Sequence, residues 1–319
     1  MDIIKPIFQE KPLYPKILWN RPIHQYKANA GKIFIISGSK GMSGRALIVC
    51  EAVFRSGTGI LLLGFPEGLK NDFKGILPES MSLPLPQTNQ VTLSSNSLND
   101  IIESSSPCDA AIIGPGLSMN PETVQVIWEV ITTISIPLVI AEEGLSSFCK
   151  GLEVIRRKES VDYIKNIILD KLPNRVIIMS LSEVRKLLDL LDIDKLNDKE
   201  ISSNIYAHLS TLSRALGFTI ILAASPLAIS SPDGVTVVNK IKLTPQNLSS
   251  SQISVLAGVI GSFMGQNPKN IFQSIVTAIY IFESAMLLAI NESSGDTNNI
   301  SGSTIIRFLS AGIKKAEDI

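Results

Sequence analysis

The sequence predicts an α/β protein with three layers, in which helices cover both faces of a mainly parallel central sheet. Short, continuously apolar segments of strand length alternate with helical segments along most of the chain. Strands that are buried on both faces are unbroken apolar runs, and their alternation with helices is typical of parallel sheets. Of the 319 residues, 45% are hydrophobic and 18% are charged, as in well-packed globular proteins.

Seven segments are predicted as strands because each is a short apolar run bounded by glycine, proline or polar residues. They are residues 32–36, 60–64, 110–113, 137–140, 176–179, 218–223 and 235–238. A Ser-Pro-Asp-Gly turn at residues 231–234 predicts a hairpin before the last strand. Ligands bind beyond the carboxyl ends of parallel strands, so a site is expected just after residues 36, 113, 140, 179 and 223.

Six longer segments are predicted as helices from their length and their distribution of apolar residues. They are residues 45–55, 121–133, 181–191, 199–216, 252–264 and 270–290. Pro121 occupies a first helical turn, where proline is well tolerated. Glycines end two of the helices, at Gly57 and Gly217. The last two helices are apolar enough to pack either in the core or in a subunit interface.

The chain is predicted to contain one domain, covering residues 31–319. Residues 1–30 are punctuated by prolines and are expected to form an N-terminal arm that lies on this domain. The polar, Ser- and Asn-rich residues 87–106 and 291–303 are interpreted as surface loops rather than linkers. No internal repeat is visible.

The charge and hydropathy of the chain exclude several classes of protein. It has 29 basic and 29 acidic residues, so no net field draws it to nucleic acid or to an anionic membrane. No apolar run approaches the roughly 20 residues that span a bilayer. The N-terminus lacks the apolar core and cleavage site of a signal peptide. We therefore expect a cytoplasmic protein that binds neither nucleic acid nor membranes.

The cysteines and histidines do not indicate a metal site. Cys50, Cys108 and Cys149 are far apart and form no Cys-x-x-Cys motif, so they are interpreted as buried free thiols. The only histidines are His24 and His208, which leaves little basis for a zinc hydrolase or a Ser-His-acid triad.

A glycine-rich loop after the first predicted strand is the clearest functional motif. Residues 37–44 read Ser-Gly-Ser-Lys-Gly-Met-Ser-Gly and lead into a helix. Glycines allow positive φ and a close approach of the backbone to a ligand, and the amides of a helix N-terminus favour anions. The spacing matches neither a Walker A loop nor Gly-x-Gly-x-x-Gly. Taken alone, the loop is either a ligand cradle or a tight turn.

Together with its surroundings, the loop resembles the opening of the NAD(P)H-hydrate dehydratases, a carbohydrate-kinase-related family of the ribokinase-like superfamily. In that family a Lys-Gly-x-x-Gly entry leads to a strand and then to Gly-Ser-x-x-Met/Tyr-x-Gly-Ala. Further motifs of the family follow in order, so that the resemblance covers nearly the whole chain. The matching segments are residues 27–44, 54–62, 78–81, 114–117, 137–145, 231–234 and 255–261.

The resemblance implies a ribokinase-like fold and a repair lyase that uses ADP or ATP, with Mg²⁺, to dehydrate the hydrated forms of NADH and NADPH. Phosphorylation of the hydrate hydroxyl followed by elimination is the expected chemistry. The implied substrate-binding residues are Gly38, Ser39, Gly41, Gly44, Arg45, Gly114, Gly116 and Ser180. The implied nucleotide-binding residues are Ala223, Ala224, Ser251, Gln252, Ile253 and Ser254. A homo-oligomer is expected by analogy with the family.

The chain departs from the family at the catalytic motif Gly-Thr/Ser-Gly-Asp. Ser254 stands at the position of the aspartate that acts as base, and Ser251 and Ile253 replace the glycines of the anion hole. A serine hydroxyl cannot act as a base without an activator of its own. Loss of such groups typically costs several kcal/mol of transition-state stabilisation.

Other family positions have changed as well. Ser180 replaces a substrate-contacting histidine and is left in a Ser-x-x-Glu capping box, and Ala223 replaces a lysine. Arg45 replaces an alanine and puts a large cation at the mouth of the substrate loop. The acidic element Asp-Ala-Asp-Gly-Leu reads Ala-Glu-Glu-Gly-Leu over residues 141–145. The changes fall on the phosphate-handling and base positions, while strands and packing glycines are kept.

Three functions remain open from the sequence. The first is an active dehydratase in which Glu142, Glu143 or Asp233 compensates for the lost aspartate, although the glutamates also fit a solvated strand end and Asp233 a turn. The second is an inactive relative that binds a nucleotide or dinucleotide as a regulator, or as a subunit beside an active paralogue. The third is a small-molecule kinase. The loss of the catalytic motif argues against a kinase as strongly as against an active dehydratase.

Overall fold

A computed structural model describes residues 5–14, 30–164, 172, 174–193, 198–240, 247–293, 295, 297 and 300–317. The described residues form ten strands: β1 (Ile7–Gln9), β2 (Lys32–Ile36), β3 (Ile60–Pro66), β4 (Met81–Leu85), β5 (Ala110–Ile113), β6 (Leu138–Ile140), β7 (Arg175–Met179), β8 (Thr219–Leu222), β9 (Ala228–Ser230) and β10 (Thr236–Asn239).

The described residues also form twelve helices: α1 (Ser43–Arg55), α2 (Lys70–Phe73), α3 (Leu98–Ser105), α4 (Pro121–Thr133), α5 (Glu143–Arg156), α6 (Val161–Tyr163), α7 (Leu181–Leu190), α8 (Asp198–Ser203), α9 (Ile205–Leu216), α10 (Ser250–Gln266), α11 (Ile271–Glu292) and α12 (Gly302–Glu317). Short 3₁₀ turns at Glu67–Leu69 and Ser95–Ser97 precede α2 and α3.

All ten strands belong to one sheet, in the order β1-β10-β9-β8-β7-β6-β5-β2-β3-β4. Neighbouring strands run parallel, except that β9 runs antiparallel to both β8 and β10. The carboxyl ends of β2, β5, β6, β7 and β8 therefore meet at one edge of the sheet. The loops that follow these strands are the ones in which a ligand site was expected.

Two hydrophobic cores lie on opposite faces of the sheet, because side chains alternate along each strand. On β2, Ile33 and Ile35 pack into one core, and Phe34 and Ile36 pack into the other. Helices α1, α10, α11 and α12 cover the first face, and α3, α4, α5, α7 and α9 cover the second. The result is the three-layer α/β/α architecture that the alternation of strands and helices predicts.

Helix α11 is the most apolar long element and packs inside the chain. By length and composition it could cross a membrane, but 72% of its apolar window is buried in the structure. It contacts α10 and α12, and residues such as Ile275, Ile279 and Phe282 are fully buried. Its hydrophobicity is therefore explained by the core of this chain.

The structure refines several expectations about elements. Residues 87–106 are not simply a loop, because they contain α3, whose Ile101 is buried beneath a polar outer surface. The single helix expected at residues 199–216 is two helices, α8 and α9, which meet at Asn204. Within the N-terminal arm, β1 adds an edge strand beside β10. The segment 291–303 lies partly outside the described residues.

Candidate functional site

The glycine-rich loop after β2 lies against the loop that follows β5. Gly38 and Gly41 have positive φ values of 95° and 82°, which side chains other than glycine rarely adopt. The Ser39 hydroxyl donates a hydrogen bond to the Gly116 carbonyl oxygen at 3.0 Å, and the Ser37 hydroxyl donates one to the Pro115 carbonyl oxygen. These two contacts fix the loop to its neighbour.

The loop after β5 packs backbone to backbone against the loop after β6. A Cβ atom on Gly114 would lie 1.9 Å from the Ala141 carbonyl oxygen, and one on Gly144 would lie 2.7 Å from the Ile113 carbonyl oxygen. A Cβ on Gly116 would lie 2.8 Å from the Met42 carbonyl oxygen. The glycines are therefore required so that three consecutive loops can converge at this edge of the sheet.

Glu142 and Glu143 follow β6 and bring two carboxylates into this convergence. The Arg45 Nη1 atom of α1 lies 2.9 Å from Glu142 Oε1 and 3.1 Å from Glu143 Oε1. The Gly116 backbone amide donates to Glu143 Oε2 at 3.0 Å. The side chain of Glu142 is only 6% exposed, whereas that of Arg45 is 26% exposed. Arg45 thus joins the glycine-rich loop to both glutamates.

Glu142 also contacts the residue at the family's catalytic position. The Ser254 hydroxyl of α10 donates to Glu142 Oε2 at 2.9 Å and lies at the same distance from the Ser250 carbonyl oxygen. Ser254 is fully buried. A carboxylate from the β6 loop therefore stands beside the position where the family has its aspartate.

Burial raises the pKa of Glu142 to about 7, because desolvation penalises the ionised carboxylate. The hydrogen bond from Ser254 and the positive charge of Arg45 act in the opposite direction. The negative charge of Glu143 adds to the rise. The pKa of Glu142 is thereby close to the pH at which a general base works best.

The N-terminus of α10, where an anion hole was expected, is partly occupied by side chains of the chain itself. Ser249 and Gln252 form a capping box. The Gln252 amide donates to the Ile300 carbonyl oxygen at 2.7 Å, and the Gly302 amide donates to the Ser251 hydroxyl at 3.1 Å. Ile253 packs against the core. Ser251, Gln252 and Ile253 thus make structural contacts at the start of the helix.

Three further sequence-predicted positions lie at the same edge of the sheet, with structural contacts of their own. Ser180 caps α7, and the predicted capping box with Glu183 is confirmed, with the Ser180 amide 2.7 Å from Glu183 Oε2. Ala223 is buried, and its amide donates to the Met179 carbonyl oxygen at 2.8 Å. Ala224 forms an isolated bridge with Asn247.

Asp233 is placed away from the site. It lies in the turn between β9 and β10, and β9 runs antiparallel to β8. The turn is therefore at the edge opposite the carboxyl ends of β5 and β6. The hypothesis that Asp233 compensates for the lost aspartate is wrong for this topological reason, and Glu142 and Glu143 remain.

A cleft of about 930 Å³ opens beside Arg45. It lies between the glycine-rich loop, the outer face of α1, the segment after α2 and the start of α12. Its lining includes Gly41 and Gly44 of the loop, which were predicted to bind substrate. The apolar part of the lining is not apparent from the sequence, because it combines α1 and its N-cap with the segment that follows α2: Met42, Leu47, Ile48, Phe54, Ile76 and Leu77.

The described part of the chain has no group of three or more His, Cys, Asp or Glu side chains that could hold a metal ion. Cys50, Cys108 and Cys149 are buried free thiols, as predicted. Burial raises the pKa of Cys108 to about 11, so that this thiol is not reactive. His208 is buried in α9, and His24 lies outside the described residues.

Comparison with protein families and curated proteins shows the family of the chain. The Carb_kinase family model, described as NAD(P)H-hydrate dehydratase, matches residues 33–306. A bifunctional NAD(P)H-hydrate repair enzyme Nnr of Moorella thermoacetica is 24% identical over 76% of this chain, which spans 42% of the length of that relative. An ADP-dependent (S)-NAD(P)H-hydrate dehydratase of Lactococcus lactis is 21% identical over 83% of this chain and 84% of its own length.

Solved structures show the same fold. An ADP/ATP-dependent NAD(P)H-hydrate dehydratase from Bacillus subtilis, co-crystallised with ATP and Mg²⁺, superposes with a TM-score of 0.70 at 17% identity and covers 93% of this chain and 94% of its own. A ribokinase-like superfamily protein from Enterococcus faecalis also gives 0.70, at 19% identity, over 97% of this chain and 96% of its own. The predicted ribokinase-like fold is confirmed.

Proposed function

The chain belongs to the NAD(P)H-hydrate dehydratase family, and we propose that it repairs hydrated NADH and NADPH by dehydrating them with ADP or ATP as phosphoryl donor. The observation that carries this proposal is the convergence at one sheet edge. There the glycine-rich loop contacts the Gly114–Gly116 loop, the Gly116 amide donates to Glu143, and Ser254 in the first turns of α10 donates to the buried carboxylate of Glu142. The site keeps a carboxylate next to position 254 although the family's aspartate is absent.

The cleft beside Arg45 supports a dinucleotide as the substrate. Glu142 is not part of its lining, and the side chain of Arg45 connects the two. The cleft volume of about 930 Å³ lies at the upper end of the range for small-molecule sites. Its apolar lining suits aromatic rings. The lining carries charges of both signs, since it includes Arg45 and Arg55 as well as Glu51 and Glu79. The glycine-rich loop places Gly41 and Gly44 on the same wall, where the backbone can approach a ligand closely.

The phosphoryl donor is supported by the position of α10. This helix is 17 residues long, has no acidic residue in its first turn and begins at the sheet edge that carries Glu142. The positive end of its dipole and the backbone amides of its first residues favour a phosphate group. Ala223 supplies no cation where the family has lysine, so among the described residues on this side the backbone amides of α10 that its capping box leaves free support phosphate binding.

The described residues contain no group of three or more His, Cys, Asp or Glu side chains that could hold a metal ion, so Mg²⁺ would be held mainly by the phosphates of the nucleotide. No step of the proposed reaction is therefore assigned to a metal ion held by this chain. The residues of the site instead orient the hydrate, exclude water around the buried carboxylate and accept a proton.

A second candidate function is binding of the same ligands without turnover. The observation that favours it is the capping of α10, where Gln252 and Ser251 are engaged with Ile300 and Gly302. These contacts occupy part of the expected anion hole. A chain with this arrangement would act as a regulatory or partner subunit.

A homo-oligomer, a cytoplasmic location and the division into an arm and one domain are also part of the proposal. They are supported by the family resemblance and by the composition of the chain. An active paralogue as partner belongs only to the second candidate function.

Incubation of the purified protein with hydrated NADPH and either ADP or ATP tests the proposal. The expected result is nucleotide-dependent recovery of the nicotinamide absorbance, with nothing above the spontaneous rate when the nucleotide is omitted. No turnover with either nucleotide would reject the dehydratase. If the same nucleotide or dinucleotide then raised the melting temperature, the non-catalytic function would be supported instead.

A further inference from the structure

The structure places a carboxylate at the position of the missing base through a residue from a different element. Ser254 is fully buried and directs its hydroxyl at Glu142 Oε2, 2.9 Å away. Serine is shorter than aspartate and carries no carboxylate. The carboxylate beside it comes from Glu142, in the loop after β6.

The backbone of Glu142 is held in a conformation that glycine favours. Its φ is 52° and its ψ is −119°, and it directly precedes α5. Such a conformation costs about 1–3 kcal/mol of stability for a residue with a side chain, and it persists only where contacts with the surrounding structure hold it in place. Here the contact between Gly114 and Ala141, one residue before Glu142, fixes the chain. The conformation brings the Glu142 carboxylate to Ser254.

The charged and polar groups around Glu142 come from three helices. Arg45 of α1 pairs with one carboxylate oxygen, Ser254 of α10 donates to the other, and Ser250 of α10 lies nearby. Glu143, at the start of α5, shares Arg45. Burial outweighs the three partners that lower the pKa, Ser254, Arg45 and Ser250, so the pKa of Glu142 is raised to about 7 and the carboxylate changes its protonation state near neutral pH.

We propose that Glu142 is the general base of this chain and that Ser254 and Arg45 position its carboxylate; the inference rests on the dehydratase function proposed above. In the first step Glu142 takes the proton of the hydrate hydroxyl while the hydroxyl oxygen bonds to the terminal phosphorus of the nucleotide. The bond from that phosphorus to the bridging oxygen breaks, and its electron pair leaves with the shortened nucleotide. The carbon–oxygen bond of the new ester then breaks and its electron pair leaves with phosphate. The neighbouring ring carbon gives its proton to solvent, and the electron pair of that carbon–hydrogen bond becomes the ring double bond.

The first test is replacement of the carboxylate by an amide of the same size, Glu142→Gln. General-base catalysis is typically worth 10²–10⁴-fold, so kcat is expected to fall by at least about a hundredfold. Binding of NADPH, measured by titration, is expected to change little. Glu129→Gln, on α4 at the surface, is the matched control and should retain wild-type kcat.

A second variant tests the geometry rather than the residue. In the double variant Glu142→Gln/Ser254→Asp the carboxylate returns to α10, where the family has it. We expect kcat of the double variant to be at least about tenfold higher than kcat of Glu142→Gln. Recovery would show that the site needs one carboxylate at this point, whichever element supplies it.

The wild-type pH profile tests the inference without any variant. With Glu142 as base, kcat/KM should fall on the acid side of about pH 7, the pKa of this carboxyl. Two results would overturn the role of Glu142 while the dehydratase function stood. One is a Glu142→Gln variant that keeps full kcat, and the other is a wild-type profile of kcat/KM with no acid limb between about pH 6 and 8. A wild type without turnover would reject the dehydratase function itself.

Discussion

At the scale of single residues, the site brings a carboxylate from another part of the fold beside a position where the family has an aspartate and this chain has serine. Position 254 has lost its carboxylate, and Glu142 brings one to within 2.9 Å of the Ser254 hydroxyl. Because the two residues are far apart in sequence, the sequence alone named Glu142 only as one of three acidic alternatives. The structure excludes Asp233 as an alternative, because Asp233 lies at the end of the sheet opposite the carboxyl ends of β5 and β6. It also pairs Glu142, rather than Glu143, with Ser254.

Arg45 is expected to set the pH range of the reaction. Its positive charge lowers the pKa of Glu142 against the effect of burial. Arg45→Met should therefore raise that pKa and move the acid limb of kcat/KM upward by about 1 pH unit. The measurement is the pH profile of kcat/KM for wild type and variant.

Arg45→Lys is the control for this prediction, because it keeps the charge while losing the planar fork. Its acid limb should stay close to that of the wild type. An Arg45→Met profile that coincides with the wild-type profile would show that Arg45 does not control Glu142, even if the rate were lower.

At the scale of elements, the site depends on loops that touch through their backbones. Gly114, after β5, has a φ of 127° and leaves no space for a side chain against Ala141. Gly41, in the glycine-rich loop, has a φ of 82° but nothing within 4 Å of its would-be Cβ. The two glycines therefore serve different purposes: Gly114 makes a close approach possible, and Gly41 only adopts an unusual φ.

This difference predicts unequal costs for the same substitution. Gly114→Ala should lower the free energy of unfolding by about 3 kcal/mol or more, because the loops after β5 and β6 must separate. Gly41→Ala should cost only about 1 kcal/mol, the price of a positive φ for alanine. Urea denaturation of both variants measures the two values, and equal losses would contradict the backbone contact described here.

Elements were predicted well where packing alone determines the pattern. Strands such as β2 and β5 are continuous apolar runs, so their bounds agree with the prediction. Helices α3, α5 and α12 were missed because polar outer faces and Ser-rich composition conceal their buried sides. The conformation of Glu142 was not predictable, since it depends on the contact between two loops rather than on local propensity.

At the scale of the whole molecule, a carboxyl group of α11 is buried beside β10 and the start of β9. Glu283 of α11 is fully buried, and the Asn239 side chain and Leu227 backbone amide face it, although no contact of good hydrogen-bond geometry forms. Tyr280, one turn earlier, is a titratable group that interacts with Glu283. Burial raises the pKa of Glu283 well above its ordinary value.

The raised pKa makes the stability of the fold depend on pH. An acid whose pKa is higher in the folded state contributes its full stability below the unfolded pKa of about 4.3 and loses it as the pH rises toward the folded value. Glu283→Gln removes this dependence. Between about pH 5 and 8 the variant should therefore lose less free energy of unfolding than the wild type.

Denaturant unfolding at both pH values, for wild type and Glu283→Gln, measures this difference. Glu129→Gln, which alters an exposed carboxylate, should follow the wild type. If the free energy of unfolding had the same pH dependence in wild type and Glu283→Gln, the fold would not hold Glu283 in its neutral form.

For the molecule as a whole, the family and the fold were predictable because ordered motifs and apolar strands extend along nearly the entire chain. Activity was not predictable, since position 254 by itself indicates a lost base. The three-dimensional contact with Glu142 changes that interpretation and makes turnover the expected behaviour.

The most direct test is the stoichiometry of a wild-type reaction with hydrated NADPH and limiting ATP or ADP. A dehydratase should restore one NADPH and release one phosphate for each nucleotide consumed, and the reaction should stop when the nucleotide is exhausted. Recovery of NADPH that is independent of nucleotide, or nucleotide hydrolysis without recovery of NADPH, would contradict a dehydratase at this site.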